Sequence, residues 1–275
     1  MKRLLLVDFM YLWNKLYFIS KKNEEVDIKE YILNLLKLIK EDEFYNSVVF
    51  VLDSATSTNR RRKLLPQYKR NRSSKEKVYA GITDTINEAK RLYPEYRFIT
   101  SEYDEADDII ASIVQTTKHC FINIYTGDRD LYQLLPLDYV NISDKFGGGM
   151  VLSLTSRDEY IKSMINKYGN KVEITFDITD TLKWKTFKGD PSDNIPVAVP
   201  RLPNSIINTL IGRYWNGSAP LSSKILFNMA KYLRKLEPNQ FQKFHEHRKD
   251  IIRNYKLVQL IHQNHGRILE RTKAL

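Results

Sequence analysis

Two short apolar segments that each end in an aspartate constrain the fold of this chain more than any other feature. The segment "RLLLVD" ends at Asp8, and the segment "SVVFVLD" ends at Asp53. A short, continuous apolar run is typical of a parallel strand that is buried on both faces of a sheet. The segments "YRFIT" and "CFINIY" have the same character. We therefore expect a central sheet that is mostly parallel.

Apolar residues recur at helical spacing between these strand segments, most clearly in "VDIKEYILNLLKLIKED". Alternating strands and helices predict an α/β fold with helices flanking the sheet. The segment "DYVNISDKFGGGMVLSLT" is interpreted as a hairpin turned at Gly147 to Gly149. We expect an α/β domain over residues 1–180. The later segments contain helical patches without clear strands, so a helical region is expected over residues 181–275.

The charge balance of the chain indicates an anionic partner. The sequence carries 44 Lys and Arg against 33 Asp and Glu, a net charge of +11, which favours nucleic acid. A single cysteine excludes an internal disulfide framework and suits a reducing compartment. The first apolar stretch is interrupted at Asp8, and no apolar run approaches the length of a membrane span. We therefore expect a cytoplasmic protein.

Acidic residues nevertheless concentrate at places where a sheet of this kind binds ligands. In open α/β sheets, ligands bind beyond the carboxyl ends of the strands. The stretch "SEYDEADD" adds five acids in seven positions at the start of an apolar helix, and "FKGDPSDNIP" adds two more. The candidate metal ligands are Asp8, Asp53, Glu105, Asp107, Asp108, Asp128, Asp130, Asp190 and Asp193.

So many carboxylates cannot all ionise side by side without compensating cations, and hard divalent metals supply that compensation. Two such ions about 3.5–4 Å apart can clamp an in-line phosphoryl displacement. We expect two Mg²⁺ ions, with Mn²⁺ able to substitute, and no zinc, since no Cys/His cluster has zinc spacing. For Glu102 and Asp104 a structural role is favoured, with Asp104 as the helix N-cap.

A basic stretch follows Asp53. Residues 60–77 contain nine basic residues and one acid, and Tyr68 lies among them. Positive side chains here would neutralise phosphates, and the tyrosine would stack on bases. The candidate nucleic-acid contacts in this stretch are Arg60, Arg61, Arg62, Tyr68, Lys69, Arg70 and Arg72.

Five segments together resemble the 5′-nuclease family, which includes flap endonucleases, phage 5′→3′ exonucleases and the 5′-nuclease domain of bacterial DNA polymerase I. These segments are "LLVDFMYLWNKLYF", "VFVLDSATSTNRRRKLLPQYKRNR", "EYDEADDIIASI", "IYTGDRDLYQLL" and "KGDPSDNIP". They occur in the family's order and spacing over residues 4–196. The chain's size, without an attached polymerase, is most like the phage members.

The resemblance implies a role for each matched residue. A tighter metal site would use Asp8, Asp53, Glu105, Asp107 and Asp128 or Asp130, and a second site would use Asp108, Asp130, Asp190 and Asp193. Lys69 and Arg72 match arch residues that contact the scissile phosphate, and Lys15 and Arg60 match supporting basic positions. The catalytic set is then Lys69, Arg72, Asp107 and Asp128. The resemblance also implies a basic helical arch at about residues 60–95.

The activity implied is that of a structure-specific 5′ nuclease that cleaves phosphodiester bonds with two metals in DNA replication and repair. Expected substrates are DNA with a 5′ flap, nick or gap and RNA–DNA hybrids, including removal of RNA primers in the manner of RNase H. A monomer is expected, with replication proteins such as a single-strand binding protein as partners.

One segment departs from the family pattern. After Pro196 the family has a glycine-rich hairpin, whereas this chain reads "VAVPRLPNSIINTLI" with no glycine before Gly212. Side chains hinder the close backbone approach that glycine allows, and proline lacks an N–H. This argues against a monovalent K⁺ site. Duplex binding would then fall to an atypical helix-hairpin-helix-like region, in which a helix is expected to begin near Asn204.

Two other classes of protein fit parts of the pattern. A PIN-type RNase shares an acidic sheet edge, but the chain length, the basic stretch and the acids at 190–193 argue against it. A catalytically silent protein that binds DNA junctions should lack one of the matched carboxylates, and none is missing.

Overall fold

A computed structural model describes residues 2–23, 26–71, 79–135, 137, 139–144, 180–217, 219–260 and 263–274. Contacts divide the chain into two units. Unit 1 comprises Met1–Asn59, Arg72–Thr155 and Gln263–Leu275, and unit 2 comprises Arg60–Asn71 and Ser156–His262. The sequence placed one boundary near residue 180. The structure instead interleaves the units, because two short segments pack away from their sequence neighbours.

Unit 1 alternates strands and helices along the chain. Its elements are β1 Lys2–Asp8, α1 Phe9–Ser20, α2 Ile28–Asp42, β2 Ser47–Asp53, α4 Ile82–Leu92, β3 Arg97–Ser101, α5 Ala106–Thr116, β4 Cys120–Tyr125, a 3-10 helix Arg129–Leu134, β5 Val140–Ser143, α11 His265–Glu270 and β6 Lys273–Ala274. The last two elements lie at the far end of the chain and return to this unit. The short helix α3, Asn59–Arg62, begins with the last residue of the first segment of unit 1, and its other three residues are assigned to unit 2.

The strands form one sheet in the order β5-β4-β1-β2-β3-β6. All pairs are parallel except β3 with β6, which is a short antiparallel edge. The expected mostly parallel α/β sheet is therefore confirmed. The hairpin expected at Gly147 to Gly149 lies outside the described residues. The segment expected as its first strand includes β5, which pairs in parallel with β4.

Both faces of the sheet are covered by apolar side chains. On one face Phe9, Phe50 and Phe98 pack with residues of α1, α2 and α4, and the rings of Phe50 and Phe98 stack 4.8 Å apart. Helix α5 buries Ile109 and Ile110 completely. Burial on both faces is the physical reason that these strands read as continuous apolar runs rather than as alternating patterns.

The C-terminal half of the expected arch is part of the unit 1 core. Residues 82–92 form α4, and this helix buries Ile86 and Ala89 in the cluster that also contains α2 residues. These positions are three apart, so they share one helix face that packs against apolar side chains. The described part of the basic stretch, residues 60–71, belongs to unit 2 instead.

Unit 2 is helical around its own core. Its described elements are α6 Asp180–Lys188, a 3-10 turn Pro191–Asp193, α7 Asn204–Tyr214, α8 Ser223–Leu236, α9 Pro238–Glu246 and α10 Arg248–Val258. Trp184, Trp215 and Phe244 are at most 1% exposed at the centre of this core, which also holds Leu65 and Tyr68 of the basic stretch. The helix expected near Asn204 begins at that residue. Of the helices described in either unit, none is both long enough and apolar enough to cross a membrane.

The aromatic stack predicts where unit 1 is most sensitive to truncation. We expect Phe50→Ala to lower the free energy of unfolding by about 3–5 kcal/mol, since it opens a cavity among buried rings. The matched control is Phe121→Ala on β4 of the same sheet, where the ring is 40% exposed. It should cost about 1 kcal/mol or less. Urea denaturation measures both, and equal losses would contradict the core described here.

Candidate metal and nucleic-acid site

Neighbouring strands deliver three aspartates to one edge of unit 1. Asp8 is the last residue of β1, and Asp53 is the last residue of β2, which pairs with β1 in parallel. Asp128 follows β4, the other neighbour of β1, by three residues. Parallel strands end at the same edge, so the sheet itself brings these carboxylates into one region, as the sequence predicted.

Asp8 is held in a defined orientation inside this edge. It is only 7% exposed. Its Oδ1 accepts a hydrogen bond of 2.9 Å from the Tyr11 N–H, which caps α1, and its Oδ2 accepts one of 2.9 Å from the Thr126 hydroxyl. Burial raises the pKa of Asp8 to about 7, and the charges of Asp53 and Asp128 act in the same direction. A cation at this edge would therefore be favoured.

The Thr-Gly-Asp turn after β4 is fixed by short-range hydrogen bonds. The Asp128 N–H donates to Thr126 Oγ1 at 3.0 Å, and Asp128 Oδ1 accepts from the Asp130 N–H at 2.9 Å. Gly127 packs so closely that a Cβ there would lie 2.4 Å from the Tyr11 ring. Only glycine fits at that point without moving the ring. Asp128 and Asp130 both remain partly exposed.

The start of α5 is joined to the sheet edge through Asp53. Asp53 Oδ1 accepts a hydrogen bond of 2.7 Å from the Ala106 N–H. This N–H is one of those at a helix N-terminus that have no acceptor within the helix. The N-cap is Glu105, which forms a capping box with Asp108, whereas the sequence favoured Asp104 as the cap. Glu105 is 2% and Asp108 is 0% exposed, while Asp107 is partly exposed. Asp107 is thus the member of this turn that is open to a ligand.

Two residues that sequence reasoning missed fix this turn from the far end of the chain. Arg271 binds the buried carboxylate of Asp104 through two hydrogen bonds of 2.9 Å and 2.6 Å. Gln263 Nε2 donates to Asp108 Oδ1. The partners lie 167 and 155 residues apart in the chain, so no local pattern could have indicated them.

The donor chemistry of this edge fits a hard divalent cation. The side chains offered are carboxylates, which Mg²⁺ prefers. The pKa of Asp8 is raised mainly by burial and further by the charges of Asp53 and Asp128, which a cation would neutralise. Across the described ranges, however, no three acidic, histidine or cysteine side chains are already gathered as a ready metal site. Mg²⁺ usually retains several waters and takes few protein ligands, so such a gathering is not required.

The second pair of acids belongs to unit 2 and is paired there with lysines. Asp190 lies 2.6 Å from Lys185 Nζ, and its Oδ1 accepts from the Ser192 N–H at 3.0 Å. Burial raises the pKa of Asp190, but Lys185 and Ser192 outweigh that effect and the pKa lies below its usual value. The preceding Gly189 has φ +71°, and a Cβ there would lie 2.3 Å from the Ile195 carbonyl oxygen. The turn therefore requires glycine.

The segment Tyr68–Lys69 is docked on this turn. The Tyr68 hydroxyl donates to Asp193 Oδ2 at 3.2 Å, and Lys69 Nζ lies 3.8 Å from the same oxygen. The Lys69 N–H also donates to the Asp193 carbonyl at 3.0 Å. Asn194 Nδ2 donates to the Gln67 carbonyl at 3.1 Å. Two motifs that are far apart in sequence thus form one structural feature of unit 2.

The predicted nucleic-acid contacts differ in how accessible they are. Arg61 is 4% exposed and donates through Nε to the Leu257 carbonyl at 2.8 Å, and Tyr68 is 3% exposed in the apolar core. Their burial argues against contact with phosphates and bases. Arg70 is exposed, Arg60 and Arg62 are partly exposed, and Arg72 lies outside the described residues.

The remaining predicted basic contact, Lys15, belongs to unit 1. Its ammonium donates to the Tyr125 hydroxyl at 3.2 Å and to the Asp144 carbonyl. It also lies over the rings of Tyr11 and Tyr125, at 5.6 Å and 5.5 Å from their centroids. Lys15 therefore helps to fix the positions of the Tyr11 and Tyr125 side chains.

Comparison with known proteins matches the segments that form these features. Residues 3–169 match the family model described as the 5′-3′ exonuclease, N-terminal resolvase-like domain. DNA polymerase I of Thermus thermophilus is 28% identical over 70% of this chain and 22% of its own length. DNA polymerase I of Mycobacterium bovis is 28% identical over 60% of this chain and 17% of its own length. The chain thus spans about a fifth of these polymerases.

Solved structures share the fold over nearly the whole chain. The T5 D15 protein, crystallised with metal ions, aligns with a TM-score of 0.66 at 20% identity, covering 94% of this chain and 90% of that one. The catalytic core of Rad2 in complex with a DNA substrate aligns with a TM-score of 0.50 at 15% identity, covering 96% and 81%. At such identities the likeness shows the fold alone. Since the family model matches more than half of its residues, the chain belongs to the family of 5′-3′ exonuclease N-terminal, resolvase-like domains.

Proposed function

We propose that this protein is a structure-specific 5′ nuclease that cleaves phosphodiester bonds near the junction of a 5′ flap. The observation that carries the proposal is the acidic edge of unit 1. There, Asp8 and Asp53 end the neighbouring strands β1 and β2, and Asp128 follows β4. Asp53 also binds the helix that presents Asp107. A carboxylate as buried and as crowded as Asp8 is costly to maintain and is typical of a functional site.

Two Mg²⁺ ions are the proposed cofactors, and Mn²⁺ should substitute for them. When bound, such ions lower the pKa of a water and stabilise charge on phosphate oxygens. Asp53, Asp107, Asp128 and Asp130 would hold them with Asp8, since the first four are exposed or partly exposed. Glu105 and Asp108 are buried in the capping box. Direct ligation by these two acids remains a prediction and would require that turn to rearrange.

Lys69 is proposed to contact the scissile phosphate. Only 8% of this residue is exposed in the structure, so its ammonium must become accessible when the substrate binds. The Lys69 backbone adopts φ 52°, a conformation that non-glycine residues seldom take, and the hydrogen bonds to Asp193 hold it there. Strain of this kind persists only where surrounding contacts fix it, as they do at functional sites. Asp193 is therefore proposed to orient the Lys69 ammonium, and metal ligation by Asp190 and Asp193 stays a prediction.

Helix α8 of unit 2 is a proposed surface for duplex phosphates. It exposes Lys224, Lys231, Arg234 and Lys235, and its sequence contains no acid. Basic side chains on one helix neutralise phosphates without reading the base sequence. This surface would make the contacts with duplex phosphates that the glycine-rich hairpin makes in the family, since the sequence after Pro196 lacks those glycines.

The proposed substrates are 5′ flaps, nicks and gaps in DNA, and RNA–DNA hybrids such as primers in replication and repair. The relatives with which the chain aligns are DNA polymerases, and the T5 and Rad2 structures include complexes with DNA. A single-strand binding protein is a further proposed partner, because it occupies the strand on which a flap nuclease acts.

The first experiment is cleavage of a 5′-end-labelled flap duplex beside a blunt duplex and single-stranded RNA, with Mg²⁺ and with EDTA. We expect cutting near the junction that requires Mg²⁺. Asp107→Ala should lower the rate by roughly a thousandfold or more, since metal ligation supplies several kcal/mol of transition-state stabilisation.

The matched control is Glu102→Ala, which removes an exposed acid of the same stretch whose partner is Lys273. It should cut at the normal rate. Tight flap binding without cutting in Mg²⁺ or Mn²⁺ would indicate a silent junction-binding protein. Cutting of single-stranded RNA alone would indicate a PIN-type RNase.

Lys69→Ala tests the second part of the site. We expect the single-turnover rate to fall about 100-fold or more, because a charged donor to the phosphate is lost, while flap affinity changes by less than about threefold. Lys63→Ala, an exposed lysine of the same basic stretch, is the control and should alter the rate little. A normal rate for Lys69→Ala would overturn its assignment.

The raised pKa of Asp8 predicts pH-dependent metal binding. Below about pH 7 the carboxyl of Asp8 is mostly protonated, so a divalent cation must displace a proton and binds more weakly. We expect Mg²⁺ to raise the melting temperature more at pH 8 than at pH 5.5. Thermal melts with and without Mg²⁺ at each pH measure this. An equal shift at both values would contradict the prediction.

A further inference from the structure

The described residues 263–274, which we name the C-terminal clasp, lie along the acidic helix of unit 1. Helix α11 packs against α5 and buries Ile268 at 2% exposure. Beyond it, β6 pairs with β3 at Thr100 and Ile99. The clasp thus covers one side of the helix whose first turn carries the proposed metal-binding acids.

The strongest contact of the clasp is the ion pair of Arg271 with Asp104. Asp104 is fully buried, and both of its oxygens accept from the guanidinium, at 2.6 Å and 2.9 Å. Bidentate, charge-assisted pairs of this kind fix geometry as well as energy. Because Asp104 directly precedes the N-cap Glu105, Arg271 fixes the direction from which the chain enters α5.

A second contact reaches the first turn of α5 itself. Gln263 Nε2 donates to Asp108 Oδ1, while Asp108 Oδ2 accepts from the Glu105 N–H at 3.2 Å. Both oxygens of Asp108 are therefore engaged, and its carboxylate cannot rotate freely. The residue beside it, Asp107, is the partly exposed acid of the turn.

A third contact lies one turn further along α5. The Ser112 hydroxyl donates to the Asp108 carbonyl at 2.6 Å and lies 3.1 Å from His265 Nδ1. Since the single hydroxyl proton is used by Asp108, His265 must donate through Nδ1 to Ser112. All three contacts act on the backbone or carboxylates around Asp107.

We propose that the C-terminal clasp is a positioning element for the metal-binding turn Glu105–Asp108, with Gln263 and Arg271 as its positioning residues. This inference rests on the proposed function, since it concerns the same acidic edge. Groups that hydrogen-bond to metal-binding carboxylates set their orientation, and their loss typically costs about 10–100-fold in metal affinity or activity. We expect the same range for Gln263, because it fixes Asp108 in the turn that presents the proposed ligand Asp107.

The test compares the full chain with Gln263→Leu, which removes the amide donor at similar volume. Mn²⁺ affinity measured by calorimetry should weaken by about 10–100-fold. The single-turnover rate on a 5′ flap should fall by a similar factor at limiting Mg²⁺ and recover as Mg²⁺ is raised. Flap affinity in EDTA should change by less than about twofold, because the clasp has no proposed contact with DNA.

The matched control is Lys273→Gln in the same segment. Lys273 pairs with Glu102 at 2.8 Å, and both side chains are more than half exposed. Exposed pairs of this kind contribute little, so Mn²⁺ affinity and rate should stay within about twofold. An equal loss in Lys273→Gln would assign the effect to the segment's stability and overturn the proposal.

Arg271 is tested with two variants, because Arg271→Ala leaves a buried carboxylate unpaired and endangers folding. Arg271→Lys keeps the charge but not the planar fork, so a smaller loss of Mn²⁺ affinity than in Arg271→Ala is expected. If Arg271→Ala does not fold, the test depends on Arg271→Lys alone, which should bind Mn²⁺ more weakly than the unaltered protein. Unchanged Mn²⁺ affinity in Arg271→Lys would then overturn the proposal.

The outcomes separate this inference from the proposed function. Normal Mn²⁺ affinity and normal cutting by Gln263→Leu would overturn the clasp and leave the nuclease intact. If the unaltered protein does not cut the flap but binds Mn²⁺ more tightly than Gln263→Leu does, the nuclease proposal is wrong and the proposed role of the clasp still holds. Parallel losses in stability, flap affinity in EDTA and rate would show a merely structural role.

Discussion

The compensation of buried carboxylates is the interaction on which the rest of this structure depends. Asp104 is paired with Arg271, Asp190 with Lys185, and Asp193 with Lys69 and Tyr68. An ionised carboxylate in a protein interior is tolerated only when it is paired or hydrogen-bonded. Asp8 differs, because its hydrogen bonds come from a backbone amide and a hydroxyl rather than from a cation. Burial without a cation among these hydrogen-bond partners is consistent with the raised pKa of Asp8, and Asp8 lies at the centre of the proposed metal site.

The sequence predicted the sheet and its acidic edge because both follow from local patterns. Apolar runs identify buried strands, and the aspartates that end β1 and β2 reach one edge through the parallel arrangement alone. The units could not be predicted in this way. Tyr68 binds Asp193 across 125 residues and Arg271 binds Asp104 across 167, and pairs at such separations leave no periodic signal. For the same reason the sequence analysis predicted that Arg61 contacts nucleic acid, although its side chain is buried and donates to the Leu257 carbonyl.

Each unit includes one short segment that is separated in sequence from the rest of that unit. Each of these segments contains a basic residue that pairs with an acidic motif of the unit to which it belongs. Residues 60–71 bring Lys69 to the Asp193 turn of unit 2, and residues 263–274 bring Arg271 to the Asp104 turn of unit 1. The polypeptide consequently passes between the units four times, so neither unit is a continuous piece of sequence. The motifs that together resemble the 5′-nuclease family are thus divided between two units, each with its own core.

The position of Arg271 in the chain also bears on how the protein is made. Asp104 and Asp108 leave the ribosome about 160 residues before Arg271 and Gln263. At about 5–20 residues per second, this interval is on the order of 10 to 30 s. During that time the carboxylate of Asp104 has no guanidinium, so burying it would be unfavourable. We therefore expect the acidic turn to stay open to water until residues 263–271 have been synthesised. A nascent chain would thus acquire the geometry of this turn only after strands β1 to β5 have all been synthesised.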